Sequence, residues 1–240
     1  MKEKHLLNRE FDKVVCINLA ERPDKKEKMK KKFFELGIEV EWFTAVQYGF
    51  VSKLVPKIVD AGIAHFNKET PNEMGCAMSH YSVIKQALLE GVDELFVFED
   101  DARFHKDFNT KLDSYWDALP DLGPNNWDMI SFYSFMYQLL PQNTRVSKRW
   151  MKSYKSWSLM AYGMKRPIME DYIKRQDNFL TMSDMVPYQM QEENKWNIYS
   201  AVPALCIPET GLGSNIRGTN MNYKNNPTIT NMGYSDDNYE

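Results

Sequence analysis

The chain has 240 residues, 43% of them hydrophobic, 13% aromatic and 26% charged, with a formal net charge of -3. That length suits one large domain able to bury a substantial core, and the near-balanced charge gives no reason to expect nucleic acid as the main partner. The three cysteines, Cys16, Cys76 and Cys206, are widely spaced and odd in number, which argues against a disulfide framework or a zinc site and for three core residues.

In chain order, residues 1–12 are charged rather than apolar and read as an N-terminal extension to a domain that spans 13–218. Together with the lack of any run approaching ~18 apolar residues, this leads us to expect a cytoplasmic protein without a transmembrane segment. Lys13 to Leu19 is β-branched and apolar and predicts a buried first strand. Pro23 and Asp24 suit a helix start, with Glu27 completing a capping box, Met29, Phe33 and Leu36 on the buried face and Gly37 as the stop. Glu39 to Phe43 is then a second strand. This β-α-β opening predicts an α/β fold on a mostly parallel sheet flanked by helices.

Six lysines lie between Lys25 and Lys32. They would suit a polyanion or peripheral contact with a membrane, but their alternation with Glu27 is better explained as a solvated outer face. Arg22, in the turn after the first strand, is placed either to bind a phosphate or to pair with Glu21. Residues 48–71 predict a loop with one short helix around Ser52 to Asp60.

Asn72 to Gly91 predicts a helix capped by Asn72, with Cys76, Val83, Ala87 and Leu88 near its buried face. Gly75 near its start weakens the helix, for which close approach of a ligand is one reason, and Ser79 and His80 are candidates to face that ligand. Leu95 to Phe98 is a continuous apolar run, as expected of a strand covered on both faces. It runs directly into Glu99, Asp100 and Asp101. Three adjacent carboxylates are costly unless a cation, hydrogen bonds or water absorbs the charge, and ligands of open α/β sheets bind where this cluster falls. Oxygen ligands of this kind suit Mg²⁺ or Mn²⁺ shared with a diphosphate.

Further on, Asp107 to Leu119 predicts an amphipathic helix, Trp127 to Phe135 and Ser156 to Gly163 strands, and Pro167 to Arg175 a helix. Another helix begins near Thr181, with Ser183 as cap and Asp184 in its first turn. Asn197 to Pro208 predicts a strand broken at Pro203. The glycines of residues 211–218 could cradle a phosphate but lack a strand-turn-helix frame, and residues 219–240 carry no apolar pattern and read as a disordered tail.

Ile17-Asn18-Leu19 with Arg22, Gly75-Cys76 with Ser79-His80, Glu99-Asp100-Asp101 and Asp184 together resemble glycosyltransferase family 25, which includes lipopolysaccharide and collagen β-galactosyltransferases. The resemblance covers roughly Val14 to Ser214, and its most specific part is the G-C-x-x-S-H and E-D-D pair. It implies a GT-A-like fold and an inverting, metal-dependent transfer of a hexose such as galactose. The donor implied is a nucleotide sugar such as UDP-galactose, and the acceptor a hydroxyl of a glycan, lipid-linked glycan or protein. In site terms it implies Asn18, Arg22, Gly75, Ser79, His80 and Asp100 around the donor, Glu99 and Asp101 on Mn²⁺ or Mg²⁺, and Asp184 as the base; outside the family pattern, Glu170 and Asp171 are the fallback acids. Lys25 stands where the family often has a second arginine, which keeps the charge but loses a bidentate fork. The segment between Phe104 and Trp157 departs from the family pattern and is expected to bear on acceptor choice. A catalytically inactive descendant of the fold is the main alternative, and a metal-dependent phosphoester hydrolase a more distant one.

Overall fold

The computed structural model describes residues 4–47, 71–119, 126–135, 140–178, 181–193, 195–209 and 236–240. The helix expected near 52–60 and the glycine-rich stretch 211–218 lie outside them. Among the described residues, nine strands form two sheets. They are β1 (Lys13–Asn18), β2 (Glu41–Thr44), β3 (Glu94–Glu99), β4 (Ala102–Phe104), β5 (Met129–Ser131), β6 (Trp150–Lys152), β7 (Ala161–Lys165), β8 (Ile198–Ala201) and β9 (Cys206–Pro208). Seven make one sheet in the order β2-β1-β3-β7-β5-β8-β6, and β4 pairs with β9 in a small second one.

The neighbours β2, β1 and β3 are parallel, β7 is antiparallel to both β3 and β5, β8 is parallel to β5, and β6 is antiparallel to β8. Five of the seven strands therefore run the same way, which gives the mostly parallel α/β sheet expected. The helices are α1 (Leu6–Glu10), α2 (Pro23–Leu36), α3 (Pro71–Leu89), α4 (Phe108–Asp117), α5 (Arg166–Asn178) and α6 (Met185–Glu192). No helix among the described residues is long and apolar enough to cross a membrane.

Successive side chains of a strand point to opposite faces, so the continuous apolar runs of β1 and β3 feed two cores at once. Val14, Cys16, Phe96 and Phe98 join Met29 and Phe33 of α2 and Phe108, Leu112 and Tyr115 of α4 on one side. Val15, Ile17, Leu95 and Val97 join Val83, Ile84 and Ala87 of α3, Ile168 and Tyr172 of α5 and Val186 of α6 on the other. With both faces occupied, the sheet can offer a ligand only its ends.

Both chain termini depart from expectation. Leu6, Leu7 and Phe11 are buried in the first core rather than forming an extension. The Phe11 ring lies over β7 at Gly163, where an added Cβ would sit 2.6 Å from two ring carbons. Residues 236–240, expected as part of a disordered tail, pack against β4. Glu240 and Phe104 exchange two backbone hydrogen bonds of 3.0 and 3.1 Å, and the buried Tyr239 hydroxyl donates to the Ala204 carbonyl at 2.8 Å. A single tyrosine with a polar tip anchors this stretch.

Three expected caps also differ, the first being Asn72, which lies inside α3 rather than ahead of it. Arg22, not Asp24, is the N-cap of α2, while Gly37 closes the helix in the left-handed conformation at φ 77. Asp184, not Ser183, is the N-cap of α6. The late strand does break at Pro203, between β8 and β9.

Candidate active site

The C-terminal ends of β1 and β3 lie side by side, because Ile17 pairs with Glu99 in parallel register. The chain leaves β1 through a turn into α2 and leaves β3 through Glu99–Asp101. The N-terminal half of α3 lies across both exits. A cavity of about 370 Å³ results, walled by Leu19, Arg22 and Lys25 on one side, by Gly75, Cys76, Ser79 and His80 on the other, and by Glu99, Asp100 and Asp101 at the base. This is the crevice outside the carboxyl ends of the strands where open α/β sheets bind ligands.

The carboxylates do not share one environment. Asp100 accepts a hydrogen bond from Asn18 Nδ2 at 2.6 Å and another from Lys25 Nζ at 3.3 Å. Lys25 is only 2% exposed and also lies 3.9 Å from Asp101 Oδ2. Glu99 Oε1 instead meets His80 Nε2 at 2.9 Å and the Cys76 thiol at 3.8 Å. The other ring nitrogen of His80 is 3.0 Å from the Tyr162 hydroxyl. Asp101 Oδ1 is buried with no hydrogen-bond partner among the described residues. Burial, then the charge of Glu99, raises the Asp101 carboxyl to about 7, against the opposing pull of Lys25. Burial likewise raises the Cys76 thiol well above its ordinary value.

Seven of the residues singled out in the sequence meet at this cavity: Arg22, Gly75, Ser79, His80, Glu99, Asp100 and Asp101. Their roles are not equal. Ser79 Oγ donates to the Gly75 carbonyl at 2.7 Å and accepts from Val46 N at 2.9 Å, so it ties α3 to the end of β2. Arg22 forks onto Asp24 at 2.9 and 2.7 Å, a third outcome beside the two its position suggested. Asn18 is not in the cavity wall; its amide bridges Asp100 and the Arg22 carbonyl from behind. Asp184 lines a separate small cleft with Ser131, Ser134, Ser153, Ser156 and Ser158. Its chain neighbour Ser183 has its hydroxyl 3.5 Å from Sγ of Cys76, a residue of the main cavity wall. Of the fallback acids, Asp171 is paired with Arg175 at 2.9 Å and Glu170 lies 3.9 Å from Arg166, so both serve the α5 surface.

Two cavity residues were given other places when the residues were read on their own, although the family resemblance touched both. Lys25 was counted with a solvated face, and Cys76 with the core. The signal for Lys25 was present, since it falls four residues before Met29 and eight before Phe33, on the stripe already recognised as buried. Cys76 and His80 stand one helical turn apart on α3, which puts them on one face.

The acids and the buried lysine gather outside the carboxyl ends of adjacent parallel strands, where open α/β sheets bind ligands. The family described as "Glycosyltransferase family 25 (LPS biosynthesis protein)" matches residues 11–172, more than half of the chain. The chain belongs to that family. It is 27% identical to the bovine "Probable inactive glycosyltransferase 25 family member 3" over 82% of its own length and 37% of that protein's. It is 34% identical to the Xenopus laevis "Procollagen galactosyltransferase 1-A" over 50% of its length and 21% of the frog protein's. To a "Glycosyltransferase 25 family member" of Aedes aegypti it is 33% identical over 50% of its length and 20% of the mosquito protein's. The chain thus spans well under half the length of these relatives.

Proposed function

We propose that this chain is an inverting, cation-assisted hexosyltransferase that moves a sugar, galactose by its family resemblance, from a UDP-linked donor to a hydroxyl of a glycan, lipid-linked glycan or protein. The observation that carries the reading is Asp101 beside Glu99 at the mouth of parallel strands, one of its oxygens buried and unpartnered among the described residues. A divalent cation suits that oxygen and its acidic neighbour. Glu99 and Asp101 would hold Mn²⁺ or Mg²⁺, which when bound supplies neutralisation of the charge on the departing diphosphate.

The chain's own groups account for the rest. Lys25 and Arg22 line the wall where α2 begins, and a helix N-terminus with two cations suits phosphate oxygens. Asp100, clamped by Asn18 and Lys25, presents a fixed acceptor edge to a ribose or uracil. Asp184 is the assigned base: its carboxylate takes the proton of the acceptor hydroxyl as that oxygen attacks the anomeric carbon.

Two measurements test this. UDP is expected to raise the melting temperature in Mn²⁺ far more than in EDTA, because a ligand stabilises only the state it binds, and equal shifts would count against a shared cation. Asp184→Asn is expected to lower turnover by ~10²–10⁴-fold with UDP affinity unchanged. Transfer at the wild-type rate would remove Asp184 from the mechanism.

A second reading is a catalytically inactive family member that retains donor binding. It is favoured by the bovine relative, whose name carries the word "inactive" and which aligns over 82% of this chain. Incubation with a panel of nucleotide sugars separates the two. Slow hydrolysis without acceptor supports the transferase; UDP binding without turnover supports the inactive form.

A further inference from the structure

The α3 wall of the cavity holds a set of donors that a hard, all-oxygen cation seat does not need. Cys76 Sγ, His80 Nε2 and Glu99 Oε1 lie within 4.8 Å of one another. The histidine nitrogen and carboxylate oxygen are 2.9 Å apart, and the sulfur is 3.8 Å from that same oxygen. Ligands around a tetrahedral zinc ion at ordinary bond lengths are separated by roughly 3.3–3.6 Å, so small side-chain shifts would bring these three to that spacing. Two of the three sit on one face of a single helix, one turn apart, and the third ends the adjacent strand.

A second observation points the same way. Metal-binding histidines nearly always engage their far ring nitrogen with a fixed polar partner, which sets the tautomer and ring orientation. His80, 1% exposed, has the Tyr162 hydroxyl 3.0 Å from Nδ1. Tyr162 is itself fully buried on β7, so that partner is held in place. On the opposite wall, Lys25 and Asn18 already compensate Asp100, which leaves Glu99 as the carboxylate turned toward exchangeable partners.

We propose that Cys76, His80 and Glu99 form a three-ligand seat for a borderline divalent cation, Zn²⁺ or Co²⁺, with its open side toward the cavity. Three protein ligands and one open position is the pattern of a zinc site that also receives a ligand. A thiolate and an imidazole favour Zn²⁺ and Co²⁺ over Mn²⁺, and disfavour Mg²⁺ strongly. The seat shares Glu99 with the cation site of the transferase reading and rests on that reading only for its purpose, not for its existence.

The test is cobalt titration of the reduced, metal-free full chain, followed by absorbance. We expect an intense near-ultraviolet thiolate-to-cobalt charge-transfer band, displaced by Zn²⁺ and not by Mg²⁺. Cys76→Ser should abolish that band and weaken Zn²⁺ binding at least ~10-fold, and Tyr162→Phe should keep the band while weakening binding ~10–100-fold. Asp101→Asn should leave the band in place. A wild-type cobalt spectrum without a thiolate band, or Zn²⁺ bound by Cys76→Ser as tightly as by wild type, overturns the proposal; should that variant fail to fold, the wild-type spectrum decides alone. The two readings fail separately. A thiolate band without any metal-dependent UDP stabilisation keeps this seat and removes the donor site, whereas metal-dependent UDP binding without the band does the reverse.

Discussion

The two walls of the cavity treat one run of carboxylates in opposite ways. On the α2 side Asp100 meets an amide at 2.6 Å and a buried ammonium at 3.3 Å, partners fixed by the packing of β1 and α2. On the α3 side Glu99 meets an imidazole and a thiol, groups able to give up that contact to ligate a metal. The difference teaches that Glu99-Asp100-Asp101 is not a single anionic patch. One half is locked into the fold, and the other is left able to exchange partners.

The sharpest way to break this comparison is Lys25→Met. Removing one member of a buried ion pair strands the other, which typically costs ~3–5 kcal/mol, whereas Lys31→Met on the exposed face of the same helix should stay within ~0.5 kcal/mol. Urea unfolding measures both, and similar small losses would mean that Asp100 is not held by Lys25. Asn18→Ala comes next. It removes a charge-assisted hydrogen bond of 2.6 Å behind the cavity and should cost ~1.5–3 kcal/mol, with nucleotide affinity falling only as far as Asp100 loses its position.

A third effect is a pH dependence. Asp101 is raised to about 7 in the folded chain by burial and by Glu99, against an ordinary value of 3.8. Below 3.8 both states hold the proton and the stabilisation is fully present. Between 3.8 and about 7 the unfolded chain releases that proton first, so stability declines as pH rises and the contribution is gone above 7. His5 and His105, whose values are lowered by burial, act in the opposite sense. The informative quantity is therefore the difference between metal-free wild type and Asp101→Asn, which should shrink steadily over that window in thermal unfolding. A flat difference would place Asp101 on the exchangeable side already ionised.

The order in which these features could be read from the sequence follows from how far apart in the chain their causes lie. β1 and β3 were legible because a strand covered on both faces leaves an unbroken apolar run, and the junction at Glu99 was legible because that run stops on three acids. The insertion of β7 between β3 and β5 was not, since an antiparallel partner some 65 residues downstream leaves no local trace. Lys25 was obscured by its own neighbours. A lysine among lysines looks solvated, and only the spacing to Met29 and Phe33 distinguishes it. Asn18 was recognised as a site residue, but its task, holding Asp100 from behind, depends on a contact across 82 positions. Asp184 shows the same limit from the other side: the helix start was expected, yet its place in a serine-lined cleft separate from the main cavity is a product of tertiary packing alone.

Gly163 carries a consequence for where this domain can be cut. Its missing side chain is the space that the Phe11 ring occupies, so the ring closes the core over β7 although it lies outside every strand of the sheet. A truncation starting at Lys13 would retain all nine strands and open a void the size of a phenyl ring above that glycine. Interiors packed as densely as crystals relax only partly around such a void, and the loss of a buried phenylalanine typically costs ~3–5 kcal/mol, a large part of what a domain of this kind has to spare.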